Sequence, residues 1–136
     1  MKSKEFTIPS DIAQLHDAIG LLEAFGREAG IGWETCRSVA LALDEVLVNI
    51  MRYAYEDEGE VHVRFEHGEG RLGIEVTDCG RPFDPTRAEA ADPDDLADRG
   101  VESGRGLLLA RSSVDELNYR RIDDENHLTL VKYLDG

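Results

Sequence analysis

The sequence predicts an α+β fold, a two-layer sandwich in which a mostly antiparallel, mixed sheet carries helices on one face. Three observations carry that expectation. Two stretches within residues 10–55 repeat apolar side chains every three or four positions, the period of a half-buried helix. From residue 60 the period drops to two, and the alternating runs come in adjacent pairs joined by short polar turns, as in antiparallel hairpins. The length of 136 residues suits one domain spanning 1–136.

The elements follow in order. Residues 4–9 read as a short edge strand that stops at Pro9. Ser10 or Asp11 then caps a helix whose stripe is Ile12, Leu15, Ile19, Leu22 and Phe25, broken by Gly30 and Gly32. A second helix covers about 34–55, with Val39, Leu43, Val46, Leu47, Ile50 and Ala54 inward, before the solvated turn 56–60. Val61, Val63 and Phe65, then Leu72, Ile74 and Val76, form one apolar hairpin face around the turn His67-Gly68-Glu69-Gly70. Residues 80–103 hold three of the four prolines and no period, which marks a long functional loop. A short helix from Leu107 to Ser113 and two alternating runs, 115–122 and 127–134, close the chain around the turn Asp123-Asp124-Glu125-Asn126.

Composition narrows the function. Fifteen Lys and Arg stand against 29 Asp and Glu, a net charge of −14, so phosphate backbones and anionic lipid surfaces are poor partners. A 41% hydrophobic share is too high for an acidic disordered tail. No run nears the roughly 18 apolar residues of a membrane span, and the start Met1-Lys2-Ser3-Lys4-Glu5 has no signal-peptide character, which makes the cytoplasm the expected compartment. Cys36 and Cys79 are far apart and read as reduced thiols, and the four histidines have no ligand spacing, so a metal site of side chains alone is not expected. The charge is also uneven. Segments 56–60, 86–103 and 123–125 carry −4, −4 and −3, leaving the framework close to neutral and open to an anionic ligand.

Four motifs bear on chemistry. Gly68-Glu69-Gly70-Arg71-Leu72-Gly73 satisfies G-x-G-x-x-G but leads into a strand rather than a helix, so it is a hairpin turn and not a dinucleotide site. Glu45 and Asn49, four apart on the second helix, project from one strip with room for a shared ligand or metal; the alternative is a surface polar flank. Asp44 lies about 100° round the helix and is expected to face solvent. Asp78 shares strand parity with Leu72, Ile74 and Val76 and so points inward at the strand end, either toward a pocket or onto loop amides. Gly80 lets the backbone approach whatever that carboxylate binds. Gly104-Arg105-Gly106-Leu107 opens a helix with uncovered N–H groups, an anion site or a simple cap.

In the order E-x-x-x-N, D-x-G, long loop and G-x-G, these motifs resemble the GHKL ATPase superfamily, whose nucleotide-binding (Bergerat-type) fold is shared by gyrase, a heat-shock chaperone and histidine kinases. More narrowly, Asp78-Cys79-Gly80-Arg81-Pro82-Phe83-Asp84-Pro85 and Ser103-Gly104-Arg105-Gly106-Leu107 look like the anti-sigma factor serine-protein kinases of bacterial partner switches. The resemblance implies ATP and Mg²⁺ as cofactors. It assigns Mg²⁺ to Asn49, the general base to Glu45, the adenine amino group to Asp78 with Gly80 beside it, an ATP lid to residues 86–103, and phosphate contacts to Gly104, Gly106 and Leu107; the position of Arg105 between the glycines adds a positive charge expected near the phosphates. It further implies an anti-sigma-factor antagonist of the STAS type as substrate, a sigma factor as second partner, and a homodimer. Tyr53 stands where the family has a His, and the threonine near the start of the last strand is replaced by Asn126 or displaced to Thr129. Those departures, with an acid-rich lid, leave a second expectation: an interaction module that sequesters a regulator without kinase activity. A detached histidine-kinase catalytic domain is a third, less favoured because no phosphoacceptor helix pair is present.

Overall fold

The structure is a computed structural model that describes residues 2–54, 59–82 and 113–134. The expected lid 86–103, the Gly104–Leu107 motif and nearly all of the helix expected over 107–113 lie outside these residues. Strands β1 (Lys2–Pro9), β2 (Glu60–Gly68), β3 (Arg71–Asp78), β4 (Glu116–Ile122) and β5 (Glu125–Tyr133) form one sheet in the order β1-β2-β3-β5-β4. Each of the four ladders is antiparallel, so the sheet carries no parallel pair among the described residues. The hydrophobic alternation sets the register. Val61, Val63 and Phe65 face Asp78, Val76 and Ile74 across the β2–β3 hairpin, and Leu128 and Leu130 continue the same apolar face on β5.

Both hairpins close through two residues rather than the four expected. Glu69 and Gly70 have φ of 53° and 74°, and Asp123 and Asp124 have 47° and 67°, the left-handed pair of a turn that matches strand twist. Asn126 is therefore not a turn residue. It is the second residue of β5, paired with Asp78 and Arg121.

Asp11 supplies the expected cap: its Oδ1 accepts the Ala13 N–H at 3.0 Å at the head of a 3₁₀ turn, Ile12–Gln14, that runs into α1 (Leu15–Ala29). Gly30 ends α1 at φ 76°, with the Ile31 N–H returning to the Gly26 carbonyl at 2.9 Å. α2 spans Trp33–Asn49 and continues as a π turn over Ile50–Ala54 instead of regular helix. The two helices bury Leu22, Phe25, Leu43, Val46 and Leu47 against Val61, Phe65, Ile74 and Leu128 of the sheet. Phe65 lies at the centre, edge-on to Phe6 of β1 and tilted against Phe25 of α1.

Gly26 sets how closely the helices approach. A Cβ there would sit 2.1 Å from Cys36 Sγ, so α1 and α2 meet at a contact only hydrogen fits. Gly26→Ala is expected to lower unfolding free energy by about 1–3 kcal/mol. Cys36→Ala in the same chain should restore part of it, a coupling of about 0.5 kcal/mol or more in denaturant titrations. Strictly additive losses would show that the two residues do not share the contact.

Candidate functional site

The α2 strip carries Glu45 and Asn49. Asn49 is 2% exposed, buried at seven residues' spacing from Ala42 on the inner side of the helix, which excludes the surface-flank alternative. Its Nδ2 donates to the Glu45 carbonyl oxygen at 2.6 Å. An acceptor at that distance fixes the amide orientation and leaves Oδ1 as the end available to a cation. The back-bond lies at the junction where the α-helix gives way to the π turn, an irregularity that side-chain back-bonding favours. Glu45 is half-buried, and its carboxyl is pushed above the ordinary range first by burial, then by neighbouring Asp44, with Arg52 opposing. Asp44 was expected in solvent but is also half-buried, its carboxyl raised by desolvation and steadied by His16 of α1, because α1 packs along that flank. A carboxylate and an amide oxygen one turn apart are the hard donors that a Mg²⁺ ion with several waters prefers.

Asp78 ends β3 with its side chain on the helix-covered face, 2% exposed, as parity predicts. Of the two alternatives, pocket or loop amides, the loop amide accounts for one of the two oxygens. Oδ1 accepts the Gly80 N–H at 2.9 Å and Asn126 Nδ2 at 2.8 Å. Oδ2 is buried with no hydrogen-bond partner among the described residues. A lone buried carboxylate oxygen is costly unless something donates to it. Burial raises the Asp78 carboxyl above its ordinary value; the Asn126 and Gly80 hydrogen bonds, then Arg121 and His127, pull it back down.

A network absent from the sequence motifs holds this carboxylate in place. Asn126 Nδ2 also donates to the Arg81 carbonyl at 2.9 Å, and Tyr119 Oη donates to Asn126 Oδ1 at 2.5 Å. Arg121 donates to the Gly80 carbonyl at 2.7 Å. The D-x-G loop is thus stitched to β4 and β5. Asn126, not Thr129, stands beside Asp78, since Thr129 pairs with Glu75 and Asn118 at the opposite strand parity. Continuing the Leu130–Leu128 alternation back by two positions puts Asn126 on the face of Asp78 and decides between the two positions the resemblance left open. Tyr119 and Arg121 share that parity on β4. Neither cysteine is in a disulfide; Cys36 is buried and Cys79 exposed beside Asp78, with its thiol pushed up by desolvation and by Glu125 and Asp78. A separate groove of about 610 Å³, lined by Ile19, Trp33, Arg37, Leu41 and Asp44, lies on the helices and includes none of the motif residues.

Comparison with known proteins agrees with this arrangement. The profile of the histidine kinase-like ATPase domain matches residues 8–132. The serine/threonine-protein kinase BtrW of Bordetella bronchiseptica is 30% identical over 98 residues, 71% of this chain and 69% of that protein. The serine-protein kinase RsbW of Bacillus velezensis is 29% identical over 140 residues, covering 97% and 86%. Among solved structures, the RsbU and RsbW domains of a Mycobacterium tuberculosis protein superpose with a TM-score of 0.71 at 17% identity, over 98% of this chain and 33% of that one. That likeness concerns the fold.

The buried carboxylate has a consequence for stability. A carboxyl raised in the native state contributes stability that is complete below its unfolded value, 3.8, and is lost as pH rises through the native value. Asp78→Asn keeps an acceptor for Gly80 and Asn126 and removes the disfavoured charge. The variant is expected to melt at the wild-type temperature or higher at neutral pH, with the wild type gaining on it in acid. A variant that melts lower at neutral pH, or a difference independent of pH, would contradict the assignment.

Proposed function

The chain belongs to the histidine kinase-like ATPase family, and on that footing we propose that it binds ATP with Mg²⁺ and phosphorylates a serine or threonine of a small anti-sigma-factor antagonist of the STAS type. The observation that carries the reading is Asp78: a 2% exposed carboxylate with one oxygen lacking a donor among the described residues, which suits the exocyclic amino group of adenine. Gly80, without a side chain, leaves room for the ring. Asn49 Oδ1 would hold Mg²⁺, and Glu45 would accept the proton of the attacking hydroxyl. The metal, when bound, supplies neutralisation of phosphate charge. Burial of Glu45 favours that role, because a base works best when its pKa lies nearer the working pH. For residues 86–103 as lid and Gly104, Arg105, Gly106 and Leu107 as phosphate contacts, the support is the sequence motif alone. The kinase names of relatives at 29–30% identity support phosphoryl transfer to protein. A cytoplasmic setting, a sigma factor as second partner and a homodimer belong to the same proposal. No helix among the described residues is long and apolar enough to cross a membrane.

Calorimetric titration with ATP·Mg and transfer of labelled phosphate to a cognate antagonist test the reading together. Glu45→Ala is expected to bind nucleotide as the wild type does and to lose transfer by about 10²-fold or more. Wild-type transfer should rise with pH as Glu45 loses its proton, a limb the variant lacks. Binding without any transfer would leave the sequestering module, and no binding at millimolar ATP·Mg would remove the nucleotide role. Acid concentrated in turns and lid further predicts that antagonist binding weakens with added salt; a salt-independent affinity would mean the acid does not face the partner.

A further inference from the structure

Asn126 sits between two acceptors and a donor. Its Nδ2 faces Asp78 Oδ1 at 2.8 Å and the Arg81 carbonyl at 2.9 Å, while its Oδ1 takes the Tyr119 hydroxyl at 2.5 Å. Flipping the amide would turn its oxygen onto a carboxylate and a carbonyl at once, so the orientation is fixed. The Gly80 N–H points at Oδ1 as well, and both donors to Asp78 therefore converge on one oxygen. Oδ2 alone has no partner among the described residues.

Resting on the adenine reading of Asp78, we propose that Asn126, oriented by Tyr119 and the Arg81 carbonyl, is a positioning residue that keeps Asp78 Oδ2 an acceptor and so selects a 6-amino purine over a 6-oxo purine. Oδ1 faces two N–H groups and has no room for a proton. A proton taken by the carboxyl goes to Oδ2, converting the acceptor into a donor that matches a 6-oxo group instead. The groups that bear on this choice are Arg121 from β4, His127 from β5 and Cys79 in the adjoining loop, set against burial. Among the influences holding the carboxyl down, the Asn126 hydrogen bond is the largest. Sites that pair a fixed acceptor with a ligand donor reject the analogue lacking that donor strongly, because the buried acceptor is left unpaired.

The experiment begins on the ligand-free protein. The Asp78 carboxyl, followed by ¹³C NMR across pH, should titrate higher in Asn126→Leu than in the wild type and return toward it in Asn126→Thr, which restores a donor. Dissociation constants for ATP and inosine triphosphate are then compared. The wild type should prefer ATP, Asn126→Leu should narrow the ratio about tenfold, Tyr119→Phe by about two- to threefold, and Asn126→Thr should recover part of it. ATP affinity of Asn126→Leu should also fall at a higher pH than that of the wild type. An unchanged ratio and titration in folded Asn126→Leu overturns the inference alone, and if that variant does not fold, an unchanged ratio in Tyr119→Phe does the same. A wild type that binds neither nucleotide overturns the adenine reading and this inference with it.

Discussion

The arrangement at the end of β3 depends on one carboxyl group held where burial disfavours its charge. Asp78 is buried, and desolvation works against its ionised form, yet two N–H donors, a guanidinium on the adjoining loop carbonyl and a nearby imidazole hold it in place. Those groups come from the D-x-G loop, β4 and β5. The central position of β3, flanked by β2 and β5, is what allows the last hairpin to reach the loop that follows it. The strand order is thus not incidental to the site. Had β4 rather than β5 paired with β3, Asn126 would not lie opposite Asp78.

The helical layer serves the site differently. α2 presents Glu45 and Asn49 from one strip, and the close approach of α1 at Gly26 fixes α2 against the core. Asn49 is itself a compromise. An asparagine in a helix interior costs roughly 0.5–0.7 kcal/mol relative to alanine, and here its Nδ2 is bonded to the Glu45 carbonyl rather than left unpaired. The π turn that follows is a local irregularity of the kind that accumulates where side-chain placement matters more than regular helix.

Much of this was legible in the sequence, and the limits have particular causes. Period 3.6 and period 2 located both helices and the strands, and parity alone put Asp78 inside. The turn read over Asp123–Asn126 runs two residues too far because Asp and Asn favour turns by type, whereas the structure turns on Asp123 and Asp124 and lets the alternation of Leu130 and Leu128 run on to Asn126. The end of α2 was read as regular helix because a side-chain bond to an i−4 carbonyl leaves no trace in apolar spacing. Azimuth on its own helix puts Asp44 in solvent, because it carries no information about α1 alongside. Composition and period report on one element at a time. Tyr119 and Arg121 matter only through the strand next door.

The acidity of the chain becomes intelligible on the same footing. A net charge of −14 spread evenly would oppose any polyphosphate, but most of it lies in the segments 56–60, 86–103 and 123–125. Charges in water more than about 8–10 Å apart are largely screened in physiological salt, so the total charge by itself decides little about an anion held among the framework elements. What weighs more is the local inventory. At Asp78 the guanidinium of Arg121 is engaged by the Gly80 carbonyl, and a buried carboxyl group is a poor neighbour for an anion. Under the proposed function a phosphate chain would lie away from Asp78, toward Asn49 of α2, where a divalent cation would balance much of its charge.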